Sequence, residues 1–143
     1  MRVPLTSPFL PNYVWAILVV YFIASLTHFV HNAEFIAFYP NMPGWLTREK
    51  VYLAWLAVSS LGVAGVLALR LGWCALGVVL LAAYGLVGID GLAHYTLALC
   101  SEHTLATNLT IWFEVVSGTT LAIAATALLR KKWPARGQTK ADA

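Results

Sequence analysis

Residues 14–38, VWAILVVYFIASLTHFVHNAEFIAF, are long and apolar enough to cross a bilayer, which takes about 20 helical residues. Pro40 and the Pro43–Gly44 pair end this stretch. It is too long for a cleaved signal peptide and no Ala-x-Ala-like site follows it, so we expect a retained helix. Three further stretches share its character: 51–69, 73–99 and 105–129. The sequence therefore predicts an all-α, four-helix transmembrane bundle.

The composition excludes several classes of protein. Of 143 residues, 60% are hydrophobic and 10% are charged, against about 25% charged in soluble proteins. The net charge of +3 comes from basic residues near helix ends, which disfavours nucleic acid as a partner. If 73–99 forms one helix, Cys74 and Cys100 lie at its opposite ends, about 39 Å apart, too far for a disulfide. We expect one membrane domain over 1–133 and a polar, disordered tail over 134–143.

The distribution of Lys and Arg predicts the orientation. Five of the nine lie in the segment 130–140, and Arg2 and Arg70 occupy the N-terminus and the second connection. The first connection holds the remaining two, Arg48 and Lys50. Because positive charge stays on the cytoplasmic side, both termini are predicted to be cytoplasmic. We expect an integral protein of a bacterial inner (cytoplasmic) membrane.

Ionisable side chains inside the predicted helices are the informative residues, because a central Asp costs about 2.5–3.5 kcal/mol to insert into a membrane. Three of the six acidic residues and three of the four histidines lie there. These six residues are His28, His31, Glu34, Asp90, His94 and Glu114.

The depths of these residues agree. His28, Asp90 and Glu114 each lie about 14 Å from the outer end of their helices, at 1.5 Å per residue. His31 and His94 form a shallower layer, and Asp90 and His94 share a helix face at i,i+4 spacing. The sequence predicts a polar pocket between helices one, three and four, in the outer half of the bundle and facing the non-cytoplasmic side. Helix two is expected only to pack.

A metal site is the leading hypothesis for this pocket. Imidazoles and carboxylates that converge from facing helices build metal sites in bundle cores. Nitrogen and oxygen ligands without thiolate suit a divalent transition metal, with zinc or iron favoured. A haem between two of the histidines is disfavoured because acidic residues crowd the same face. The predicted ligands are His28, His31, Asp90, His94 and Glu114.

The predicted function is a metal-dependent membrane enzyme, a hydrolase or an oxidoreductase, whose substrate is lipid-soluble or lies close to the membrane. The metal would activate water or dioxygen. Whichever of Asp90, Glu114 and Glu34 is not a ligand would be the general base.

Other functions are compatible with the same residues. His28, Asp90 and His94 could transfer protons without a metal, or the polar residues could only fix the helix register. A non-enzymatic accessory subunit of a larger membrane complex is the alternative from another class, as is a small metal or proton carrier. Either would need a homo-oligomer or a partner subunit.

Two smaller features lead to expectations. Gly85, Gly88 and Gly91 recur every three residues, which is typical of close helix packing in membranes. His103, beside Glu102 in the third connection, is expected to be solvated at the interface, where it could cover the mouth of the pocket.

Residues His31-Asn32-Ala33-Glu34, with Tyr39-Pro40 after them, resemble the motif of the HXXEE family of small four-helix membrane proteins. Phe35 stands where that family has a second glutamate. The segment from Asp90 to His94 resembles the second histidine region of the family. The resemblance implies the four-helix membrane fold and no particular activity.

Overall fold

The computed structural model describes residues 10–132, and every regular element in that range is helical. Short 3-10 helices cover Ile36–Phe38, Gly88–Ala93 and Cys100–Glu102. The α-helices are α1 (Asn12–Glu34), α2 (Arg48–Arg70), α3 (Cys74–Val87), α4 (His94–Leu97) and α5 (Leu105–Lys132). The prediction of an all-α chain is confirmed.

Four segments are long and apolar enough to span a membrane, by length and composition. The third combines α3, the 3-10 segment and α4. These segments are Asn12–Glu34, Arg48–Arg70, Cys74–Leu97 and Leu105–Lys131. The four-helix transmembrane prediction is confirmed, and the orientation stays a prediction. Arg2 and the predicted tail 134–143 lie outside the described residues.

The third membrane segment is not the uninterrupted helix that its hydropathy predicts. The α-helix ends at Val87, and the chain tightens to a 3-10 helix over Gly88–Ala93 before α4 begins. Glycine is a poor α-helix former because it loses the most backbone freedom on folding, and Gly88 and Gly91 both lie in this segment. A 3-10 stretch within a helix often marks a functional or strained region.

Helices α1, α3 and α5 share the apolar core, and α2 packs mainly on α3. Tyr21 on α1 and Tyr84 on α3 pack against each other with their rings tilted by 57° and their centroids 4.6 Å apart. A side-chain atom added at Gly62 of α2 would lie 2.8 Å from the Tyr84 ring, so α2 approaches closely there. The expectation that helix two packs agrees with this arrangement.

Helices α3 and α5 meet through glycine. A Cβ added at Gly85 would lie 2.6 Å from the carbonyl oxygen of Gly118, and one added at Gly118 would lie 2.7 Å from that of Gly85. A Cβ at Gly88 would lie 2.8 Å from the Tyr21 ring. The prediction of close helix packing is confirmed for Gly85 and Gly88.

Residues 35–47 and 98–104 lie together at one end of the bundle, which we call the loop end. The Asn41 side chain donates a hydrogen bond of 2.8 Å to the carbonyl oxygen of Leu97, which joins the first of these segments to the end of α4. Asn41 adopts a left-handed backbone conformation, with φ at 57°, as asparagine does more readily than most residues.

Gly85→Ala should destabilise the bundle, because the new Cβ meets the backbone of α5, which cannot rotate away as a side chain can. We expect a loss of about 1–3 kcal/mol, the usual cost of overpacking, seen as a lower melting temperature in detergent. Gly44→Ala is the matched control, since nothing lies within 4 Å of a Cβ at Gly44. Equal melting temperatures for the two variants would contradict the close contact.

The orientation can be tested with the two native cysteines. Cys100 is exposed at the loop end, and Cys74 begins α3 at the opposite end. We expect a membrane-impermeant maleimide to label Cys100 on intact cells lacking an outer membrane, and to label Cys74 only after the membrane is permeabilised. Cys74→Ser and Cys100→Ser variants assign each signal, and the reverse pattern would mean that the termini face outward.

Candidate functional site

Two buried side chains from different helices form the centre of the candidate site. His28 on α1 and Glu114 on α5 are 3% and 2% exposed, and His28 Nε2 lies 3.6 Å from Glu114 Oε2. This separation is longer than a hydrogen bond but within the range of an ion pair. Gly91 of the third membrane segment lies beside the pair, since a Cβ added there would lie 3.4 Å from the same carboxylate oxygen.

A second buried histidine, His94, brings the third membrane segment to the pair. Its ring centroid lies 5.3 Å from that of His28, in an edge-on arrangement. Its Nε2 lies 3.4 Å from the Asn32 side-chain nitrogen, a hydrogen bond when that ring nitrogen accepts. Three membrane segments therefore contribute His28, His94 and Glu114 to one cluster, as the sequence predicts.

The loop end covers this cluster with Tyr39 and His103. The ring of Tyr39 lies 5.0 Å from that of His94, and His103 Nε2 lies 3.4 Å from the His94 carbonyl oxygen. Both side chains are buried, at 4% and 7% exposed. The expectation that His103 is solvated is therefore wrong, because the turn after Leu99 folds the ring inward over α4.

A cavity of about 270 Å³ gives access to the cluster. Apolar side chains from α1, α2 and the first connection, such as Phe29, Val58 and Leu46, form much of its wall. The polar side chains that line it are His28, Asn32, Asp90, His94 and Glu114. The cavity therefore fits a molecule that has both a polar group, which these residues would surround, and an apolar body, which would lie against the remaining wall.

Asp90 lines the cavity but differs from its neighbour His94. Asp90 is exposed, whereas His94 is buried, although both were expected on one helix face. The 3-10 geometry of Gly88–Ala93 separates their directions. Asp90 can therefore contact a molecule in the cavity while staying open to the surroundings.

Two residues predicted for the site lie outside the cavity. Glu34 accepts a hydrogen bond of 2.6 Å from the Tyr52 hydroxyl, and its Oε1 lies 2.9 Å from Arg48. His31 is half-buried, and its Nδ1 lies 2.8 Å from the Tyr39 hydroxyl. Burial raises the pKa of Tyr39 to about 12, so this hydroxyl keeps its proton and can donate to His31 when His31 Nδ1 is unprotonated.

Two buried polar atoms of the cavity lining, His28 Nδ1 and Asn32 Oδ1, have no hydrogen-bond partner within residues 10–132. A buried polar atom without a partner costs about 1–3 kcal/mol. Such groups in native structures point to a ligand, water or chemistry.

The side chains are not arranged as a finished metal site. In the described part of the chain, no group of three or more His, Cys, Asp or Glu side chains could hold a metal ion as it stands. The predicted ligands also do not all lie together, since His31 contacts Tyr39 and does not line the cavity. Metal binding stays a prediction.

Sequence reasoning missed the contribution of Tyr39. It lies after the Phe35 helix cap, where hydropathy predicts only an interfacial aromatic residue, and its ring packs between His31 and His94. The residues next to Tyr39 in the chain do not indicate that it is buried, because its contacts with His94 and His103 join residues far apart in the sequence.

Comparison with protein-family models, with curated proteins and with solved structures finds no match for this chain. The resemblance of residues 31–40 to the HXXEE motif therefore stays a prediction. The candidate function rests on the geometry of the cavity alone.

Proposed function

We propose that this protein is a membrane enzyme that moves a proton within a lipid-soluble molecule held in the cavity of about 270 Å³. The observation that carries the proposal is the buried pair of His28 and Glu114, 3.6 Å apart, at the wall of that cavity. An imidazole beside a carboxylate is a standard arrangement for general acid–base chemistry.

The wall of the cavity has a polar part and an apolar part, which supports the binding of a lipid-soluble molecule with a polar group. Asn32 and His94 would hydrogen-bond the polar group of the substrate, and the apolar wall around Phe29 and Val58 would hold its hydrocarbon body. Asn32 Oδ1 has no partner among the described residues, so it can accept a hydrogen bond from a substrate hydroxyl.

The proton transfer uses two groups. His28 takes a proton from a carbon next to the polar group of the substrate, and the Glu114 carboxylate, 3.6 Å from His28 Nε2, stabilises the positive charge that forms on the imidazole. The pair then returns a proton to another atom of the same molecule, so the product is an isomer and no co-reactant is consumed. Asp90, at the open side of the cavity, exchanges protons with the surroundings.

A second candidate keeps the predicted metal. The observation that favours it is the 3.6 Å separation of His28 Nε2 and Glu114 Oε2, since two ligands on a tetrahedral zinc lie about 3.4 Å apart. His94 would be the third ligand after rotation of its ring. The metal would be zinc or iron, and it would activate water for hydrolysis or dioxygen for oxidation.

Isotope-labelled water distinguishes these reactions. The purified protein is incubated with a total lipid extract of its source membrane in water carrying deuterium and oxygen-18. We expect one lipid to gain carbon-bound deuterium without any other change of composition, because the proton held on His28 exchanges with deuterium from the water before it returns to the molecule. Mass spectrometry follows this gain, and Glu114→Gln or His28→Gln should slow it about a hundredfold or more.

Glu34→Gln and His31→Gln are the matched controls, because they change the same residue types outside the cavity. We expect both to retain the exchange. Incorporation of oxygen-18 in place of deuterium would replace proton transfer by hydrolysis, and no incorporation of either isotope would overturn both proton transfer and hydrolysis.

Metal content tests the second candidate. We expect near-stoichiometric zinc or iron by elemental mass spectrometry in protein purified without a chelator or a His tag. An Asp90→Ala/His94→Ala double variant should lose the metal, and His31→Ala should keep it, since His31 lies outside the cavity. A wild-type protein without metal would exclude this candidate and leave the proton-transfer proposal standing.

A further inference from the structure

A second cavity, of about 400 Å³, lies between α1, α2 and α3 and shares no lining residue with the cavity around His28. Most of its wall is aliphatic or aromatic, for example Leu18, Phe22 and Val66. Three lining residues are polar: Ser59, Tyr84 and Arg70. The proposed proton transfer uses none of these three.

Two buried hydroxyls in this wall lack partners. Ser59 is 8% exposed and Tyr84 is 1% exposed, and neither hydroxyl has a hydrogen-bond partner in the stretch that the structure describes. Each hydroxyl can donate one hydrogen bond and accept others. One oxygen atom of a bound molecule, placed between them, would satisfy both.

Arg70 supplies a cation at another point of the same wall. It is exposed, at the last residue of α2, eleven residues after Ser59. At 1.5 Å per helical residue, the two positions lie about 16 Å apart along the helix. A guanidinium at the end of an apolar cavity is complementary to a carboxylate, which it can bind through two hydrogen bonds.

We propose that this cavity binds a fatty acid that carries a hydroxyl or keto oxygen near the middle of its chain. The carboxylate pairs with Arg70, the chain lies along the apolar wall, and the mid-chain oxygen hydrogen-bonds Ser59 and Tyr84. An unsubstituted fatty acid would offer no oxygen to either hydroxyl, and a neutral lipid would offer no negative charge to the guanidinium.

Native mass spectrometry of the full chain in detergent tests the proposal on the wild-type protein. The probes are octadecanoic acid and the same acid with a hydroxyl near mid-chain, offered as an equimolar mixture. We expect the hydroxylated acid to be bound about fivefold more, the value of one net hydrogen bond. We also expect it to be preferred about fivefold over its methyl ester, which has no charge for Arg70.

Variants assign each preference to its residue. Ser59→Ala/Tyr84→Phe should abolish the preference for the hydroxylated chain, and Ser60→Ala/Tyr13→Phe is the matched control away from the cavity wall. Arg70→Gln should abolish the preference for the acid over the ester. Arg130→Gln is its control, since Arg130 lines a different groove, on α5.

Equal binding of the two acids to the wild type would mean that the cavity holds only hydrocarbon chains, and it would overturn the proposal. A preference that survives Ser59→Ala/Tyr84→Phe would also overturn it. An acid preference that survives Arg70→Gln would exclude the carboxylate contact. None of these outcomes depends on the isotope experiment, so this proposal and the proton-transfer proposal stand or fail separately.

Discussion

The contact between Gly85 and Gly118 is the constraint on which the rest of the bundle depends. It brings the backbones of α3 and α5 so close that a single Cβ would lie 2.6 Å from a carbonyl oxygen. Because association of helices in lipid relies on packing and not on exclusion of water, such close approach is how a membrane bundle gains contact. Further along the same two segments, a Cβ added at Gly91 would lie 3.3 Å from a side-chain carbon of Val115, and Glu114 of α5 lies 3.6 Å from His28 of α1.

The parts of the fold that depend on local composition could be predicted from the sequence. Hydropathy found the four spans, and the depth of ionisable residues along each helix brought His28, His94 and Glu114 together. The separation of Glu34 from that cluster could not be predicted, because Arg48 and Tyr52 of another helix hold it. The burial of His103 likewise depends on a turn whose direction no local pattern records.

The two cavities differ in how they treat buried polarity. Around His28 the polar groups include four ionisable side chains from three membrane segments, together with the amide of Asn32, so the site can hold a charge or pass a proton. Between α1, α2 and α3 the buried polar groups are the neutral hydroxyls of Ser59 and Tyr84, which can only form hydrogen bonds. A buried hydroxyl costs less to bring into a membrane protein than a buried carboxylate, which makes the first cavity the more expensive of the two to maintain.

The 3-10 segment also changes the direction in which the residues after it point around the helix axis. A 3-10 helix turns about 120° per residue and an α-helix about 100°. Over the six residues Gly88–Ala93 the difference adds up to about 120° of rotation. In a regular α-helix with the same sequence, the His94 side chain would therefore point about 120° away from its present direction. The short 3-10 segment sets the direction of this imidazole around the helix axis. A change that restored α-helical winding would turn it away from His28 and shift it along the axis by about 3 Å, because the rise per residue falls from about 2.0 to 1.5 Å.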